Sequence, residues 1–152
     1  MISKKFLIIV SLFFLAGNVL VAQTNIGAAK CKMCHNKTST GQQFKKWSEG
    51  PHAKAMSRLD ATQAKDPKCL KCHQTNSAFP NEGVSCESCH GPGSKYKSMT
   101  IMKDHAKSVA NGLIEPNEAL CKTCHNSESP DFKGFDYAKY SAQIAHPNPA
   151  NE

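Results

Sequence analysis

Gly83-Val84-Ser85-Cys86-Glu87-Ser88-Cys89-His90-Gly91-Pro92-Gly93 decides the reading: two cysteines three positions apart, a histidine directly after them, and a Gly-Pro-Gly stop. Three positions are nearly one helical turn, so both sulfurs lie on one face of a helix. Gly91 accepts the left-handed cap conformation and Pro92 cannot continue the helix, which should therefore end at the histidine. The same Cys-x-x-Cys-His pattern recurs as Cys31-Lys32-Met33-Cys34-His35, Cys69-Leu70-Lys71-Cys72-His73 and Cys121-Lys122-Thr123-Cys124-His125, so the four motifs take up all 8 cysteines. Their first cysteines are 38, 17 and 35 residues apart, which excludes a solenoid of equal repeats.

The spacing has a chemical reason. Two thiols one turn apart can form thioethers to the two vinyl groups of one haem, leaving the next histidine beneath the iron. The alternatives are a four-cysteine zinc ribbon from Cys69, Cys72, Cys86 and Cys89, or a set of disulfides. Neither explains a histidine after every pair. With 7 histidines in 152 residues, chance placement behind all four pairs has a probability on the order of 10⁻⁵. The expectation is four haem c groups attached through Cys31, Cys34, Cys69, Cys72, Cys86, Cys89, Cys121 and Cys124, with His35, His73, His90 and His125 as proximal iron ligands.

His52, His105 and His146 remain as candidates for the opposite faces of the irons, because imidazole suits iron and most of so short a chain must lie near a haem. His105 is expected on the longest helix, residues 94–110, with Ile101 and Val109 four positions to either side on an apolar, inward face. Methionine is the rival sixth ligand. Met33 lies inside a motif and points elsewhere, Met56 packs better against a haem edge, and Met99 and Met102 are the weaker candidates. Three distal histidines for four irons leave one iron with another ligand or open.

Residues 1–22 read as a secretory signal, with Lys4 and Lys5 before an apolar run from Phe6 to Val21 and a small residue, Ala22, at the cleavage site. The run falls short of the roughly 20 residues of a spanning helix and is broken by Gly17-Asn18. The mature part, residues 23–152, is then one periplasmic tetrahaem domain of 130 residues. It keeps 17 of the 19 basic residues and all 12 acidic ones, a charge of +5. Haem propionates and ferric irons bring this to about +1, so the lysines are neutralisers and solvated surface, and nucleic acid is not a partner.

Large aliphatic residues are few, so the haems themselves must form the core, at about one per 33 residues. The fold class is mostly α, a small multihaem c-type cytochrome with short helices and loops wrapped around four haems. Gly50-Pro51 is expected to stop one helix and start another at His52, and Pro67 and Pro116 to open the second and fourth motifs. A last helix should run from about Asp136 to Ala145 before Pro147 and Pro149 break the tail. No alternating run supports a strand.

These stretches resemble the tetrahaem cytochrome c-554 group. The resemblance is carried by Cys31-x-x-Cys-His35, then Trp47 and His52-Ala53-Lys54-Ala55-Met56, and by Gly83 to Gly93; with the fourth motif they cover most of the mature chain. It implies a mostly helical fold, three haems with two histidines each, a five-coordinate haem at the second motif, and electron transfer between periplasmic redox proteins. It also makes His105 the distal partner of His35, leaving His52 and His146 to be divided between the third and fourth haems. The leading functional expectation is an electron carrier rather than an enzyme. Reduction of nitric oxide or another small nitrogen oxide at the open haem is the alternative, and a membrane-associated quinone or reductase stays open as a partner.

Overall fold

The structure is a computed structural model that describes residues 22–149. The expected export signal lies outside the described residues except for Ala22. Among the described residues there are eight short α-helices, four single 3-10 turns and no strand. The helices are α1 (Ala28–His35), α2 (Gln43–Glu49), α3 (Pro67–His73), α4 (Cys86–His90), α5 (Met99–Met102), α6 (His105–Ala110), α7 (Glu118–Lys122) and α8 (Tyr137–Ile144).

The first three motifs form the last residues of α1, α3 and α4, and each helix stops at its motif histidine. Gly91 ends α4 at φ 75°, and a Cβ there would stand 2.8 Å from the Gly112 carbonyl oxygen, so only glycine fits. The helix starts follow side-chain capping. Asp66, Asp104, Asn117 and Asp136 each accept a hydrogen bond from a backbone N–H in the first turn of α3, α6, α7 and α8. Pro67 is the first residue of α3, and α8 matches the expected C-terminal helix.

Four local expectations are corrected. Residues 94–110 are not one helix, because Asp104 caps a new one: its carboxylate takes the Lys107 N–H at 3.0 Å, and the chain turns between α5 and α6. His105 is consequently the first residue of α6, with its side chain 62% exposed and Ile101 on a different helix, so it has no apolar inward face. Pro51 opens no helix either; residues 51–55 are turns, closed by Lys54 N–H to Pro51 O and Ala55 N–H to His52 O, both 3.1 Å. Pro116 precedes the Asn117 cap of α7 instead of occupying its first position.

Packing is sparse. Among the described residues the buried hydrophobic side chains are Ala28, Ala55 and Tyr96 alone, while Met33, Met99, Val109, Ile114, Phe132 and Tyr140 are exposed. Polar ties do much of the joining. The segment before α1 is fixed to the loop after α4: the Gln23 amide donates to Pro92 O and Asn111 O, and Thr24 and Ser94 exchange hydrogen bonds. Trp47 Nε1 donates to Val84 O at 2.8 Å, joining α2 to the approach to the third motif.

Candidate haem attachment and ligand sites

Each pair of motif cysteines is delivered by a short helix or turn, and none of the eight is paired in a disulfide. The motifs meet in a defined order. Cys31 and Cys86 are within hydrogen-bonding reach of each other, as are Cys72 and Cys124, and Cys89 is within electrostatic range of Cys121 and Cys124. The first motif therefore adjoins the third, the third the fourth, and the fourth the second. Cys69, Cys72, Cys86 and Cys89 do not converge, because Cys72 turns to Cys124 and Cys86 to Cys31, so a zinc ribbon has no centre here.

The histidines form two facing pairs. His52 lies opposite His125 with ring centroids 6.0 Å apart, and His146 lies opposite His90 at 5.9 Å. Two imidazoles on opposite sides of one iron, at metal–nitrogen distances of about 2.0 Å, have ring centres about 6 Å apart. Both pairs meet this requirement. Burial holds all four imidazoles below the usual histidine pKa, and the facing cation adds to this for His52 and His146. Each is thus favoured in the neutral form that can bind a metal.

Hydrogen bonds at one ring nitrogen orient two of the motif histidines. His73 Nδ1 is 2.8 Å from Ala55 O and His90 Nδ1 is 3.2 Å from Ile114 O. A carbonyl can only accept, so Nδ1–H donates in both rings and Nε2 presents its lone pair. His125 is positioned differently: its ring stacks on Phe135 at 4.7 Å, and Phe135 stacks on Tyr140 at 5.5 Å. Lys122, His125, Phe132 and Phe135 line an open recess beside the fourth motif.

The remaining expected ligands are not brought together. His35 belongs to the same neighbourhood as His90 and His146, whose titration it influences. His105 sits apart, with Nε2 3.2 Å from Glu115 Oε1. Among the methionines, Met33 and Met99 are largely exposed, at 69% and 61%.

Gly83, Glu82, Glu87 and Tyr96 are site residues that the motif reading did not single out. Gly83 has φ 62°, and a Cβ on it would lie 2.6 Å from His52 O and 2.9 Å from Ala53 O. Both obstacles are backbone, so any side chain must displace the turn that carries His52. Gly83→Ala is expected to release His52, seen in optical and spin-resonance spectra as one additional high-spin iron per chain; unchanged spectra would show that the turn tolerates the side chain. Tyr96 donates to His90 O at 3.0 Å and to Gly91 O, closing the end of α4 from a buried position. Its signal in the sequence was slight, a lone tyrosine six residues past the motif histidine.

Residues 19–91 match the family described as cytochrome c7 and related cytochrome c. The chain is 31% identical to cytochrome c-554 of Nitrosomonas europaea over an alignment of 154 residues, covering 71% of this chain and 60% of that protein. The chain thus spans less than two thirds of that relative's length. No solved structure matches it.

Proposed function

Because this chain belongs to the family of cytochrome c-554 and related c-type cytochromes, we propose that it relays single electrons between redox partner proteins in the periplasm through four covalently bound haems. Covalent haem and multihaem electron transfer come with the family. Haem iron supplies a reversible one-electron couple, and covalent attachment prevents its loss. The observation that carries the reading is the pair of facing histidines at iron-spanning distance, His52 with His125 and His90 with His146. In this reading His52 serves the fourth motif and His146 the third, which the ring pairs support. His105 is then assigned to His35, on the strength of the family resemblance.

The chain's own residues arrange a path. Cys31 beside Cys86, Cys89 within electrostatic range of Cys121 and Cys124, and Cys124 beside Cys72 set the motifs in the spatial order first, third, fourth, second. The first and second motifs are therefore the ends at which partner proteins exchange electrons. Among the described residues no helix is long and apolar enough to cross a membrane.

A second reading is favoured by the histidine shortfall. Seven histidines less four proximal ones leave three distal ligands for four irons. The iron at His73 is then open to a small ligand such as nitric oxide, and a nitrogen oxide could be reduced there with electrons from the other three.

Mass spectrometry of denatured protein is expected to show four covalent haems of about 0.6 kDa each. Redox-titrated spectra are expected to show one high-spin iron in four, and nitric oxide is expected to bind one iron per chain. An apoprotein mass would overturn the cytochrome reading, and four low-spin irons unresponsive to nitric oxide would remove the second reading alone.

A further inference from the structure

Glu87 stands between the cysteines of the third motif, 5% exposed, and among the described residues no cation pairs with it. Its partners are backbone donors. Oε1 accepts from Ile26 N–H at 2.9 Å and Gly93 N–H at 2.7 Å; Oε2 accepts from Ile26 N–H at 3.0 Å and Gly27 N–H at 2.9 Å. Glu82 adds a second carboxylate, taking Ala28 N–H at 3.0 and 2.9 Å. A residue of the third motif thus holds the start of the helix that ends in the first motif, and α1 meets α4 with Cys31 beside Cys86.

Every hydrogen-bond partner of Glu87 is a backbone donor, which matches an acceptor-only carboxylate. Peptide dipoles orient toward that charge without cancelling it. In a buried setting that charge is weakly screened. A buried negative charge favours whichever redox state carries more positive charge, here Fe(III) over Fe(II). At separations of about 10 Å and an effective dielectric constant of about 20, one charge changes such an equilibrium by roughly tenfold.

We propose that Glu87 is a positioning and potential-setting residue for the two haems attached through the first and third motifs, tying the motifs together and lowering the reduction potentials of both irons. The proposal rests on haem attachment at these motifs, which the mass measurement tests separately.

The test is Glu87→Gln in the haem-loaded protein, followed by spectroelectrochemistry and by the haem-methyl magnetic resonance signals of the His35 and His90 sites. Glutamine removes the charge and keeps one acceptor of the same length, while its NH2 replaces the other and meets backbone donors, so the potentials rather than the melting temperature carry the test. Those two irons should become easier to reduce, their oxidised-to-reduced ratio at a fixed potential falling by about tenfold, which is about 59 mV for one electron. The other two should move much less, with haem content and low-spin spectra unchanged. Glu82→Gln should shift the first iron in the same direction by a smaller factor, and it decides the matter if the Glu87 variant does not accumulate. A carboxylate with a merely structural role would lower the melting temperature and leave the potentials in place. That result, or equal shifts at all four irons, would overturn the proposal; a wild-type protein lacking four haems would instead overturn the reading beneath it.

Discussion

Cys86→Ala with Cys89→Ala is expected to remove more than one haem site and to abolish cooperative folding of the mature protein. Ordering one residue costs about 1–2 kcal/mol in conformational entropy, so a folded chain of this length needs extensive apolar burial. Its described polypeptide buries only Ala28, Ala55 and Tyr96 among hydrophobic residues, and two of these are alanines. The cofactors must supply what side chains do not. The third motif is the worst place to lose one, since Cys86 lies beside Cys31 of the first motif, Cys89 is within electrostatic range of the fourth, Glu87 holds the start of α1 and His90 lies against His146. Covalent mass and a melting curve check the outcome. A variant with three normal haems and an unchanged melting profile would refute the idea that haems form the core.

His52→Ala and His146→Ala should each convert one low-spin iron to high spin, at different haems. His52 faces His125, so its loss should expose the iron of the fourth motif; His146 faces His90, so its loss should expose that of the third. Removing the axial imidazole leaves a position that methyl-sized alanine cannot fill, and the iron then accepts an external ligand. Nitric oxide binding should rise by one iron per chain in each variant and by two in the double variant. The sites have no shared ligand, so their effects should add. His105→Ala should act in the same way on the iron at His35. If His52→Ala perturbed the third haem instead, or no spin change followed either substitution, the ligand pairing drawn from the ring geometry would be wrong.

The cofactor chemistry was legible because it is local. Two thiols and an imidazole within five residues form a unit that one helical turn presents on one side, and no distant residue alters that requirement. The ends of α3, α4 and α8 were equally local, set by Pro67, Gly91 and the Asp136 cap. Residues 94–110 misled for the opposite reason. Their composition suits a helix throughout, but Asp104 offers a side-chain acceptor that competes with the helical hydrogen bond and restarts the chain. The error about His105 followed from that helix, since its apolar face was inferred from neighbours that belong to separate elements.

What the sequence set by itself is the four Cys-x-x-Cys-His motifs, the small pool of further histidines and the mostly helical class. Only the tertiary structure decided how these parts combine. It set the motif order, brought His52 to His125 and His146 to His90, and used the motif residue Glu87 to anchor α1. The physical reason is range. Helical spacing and capping act over three or four residues, whereas His52 meets His125, and His146 meets His90, across chain segments whose path depends on packing, on the glycine that lets residue 83 approach the His52 turn, and on buried hydrogen bonds that no periodicity encodes.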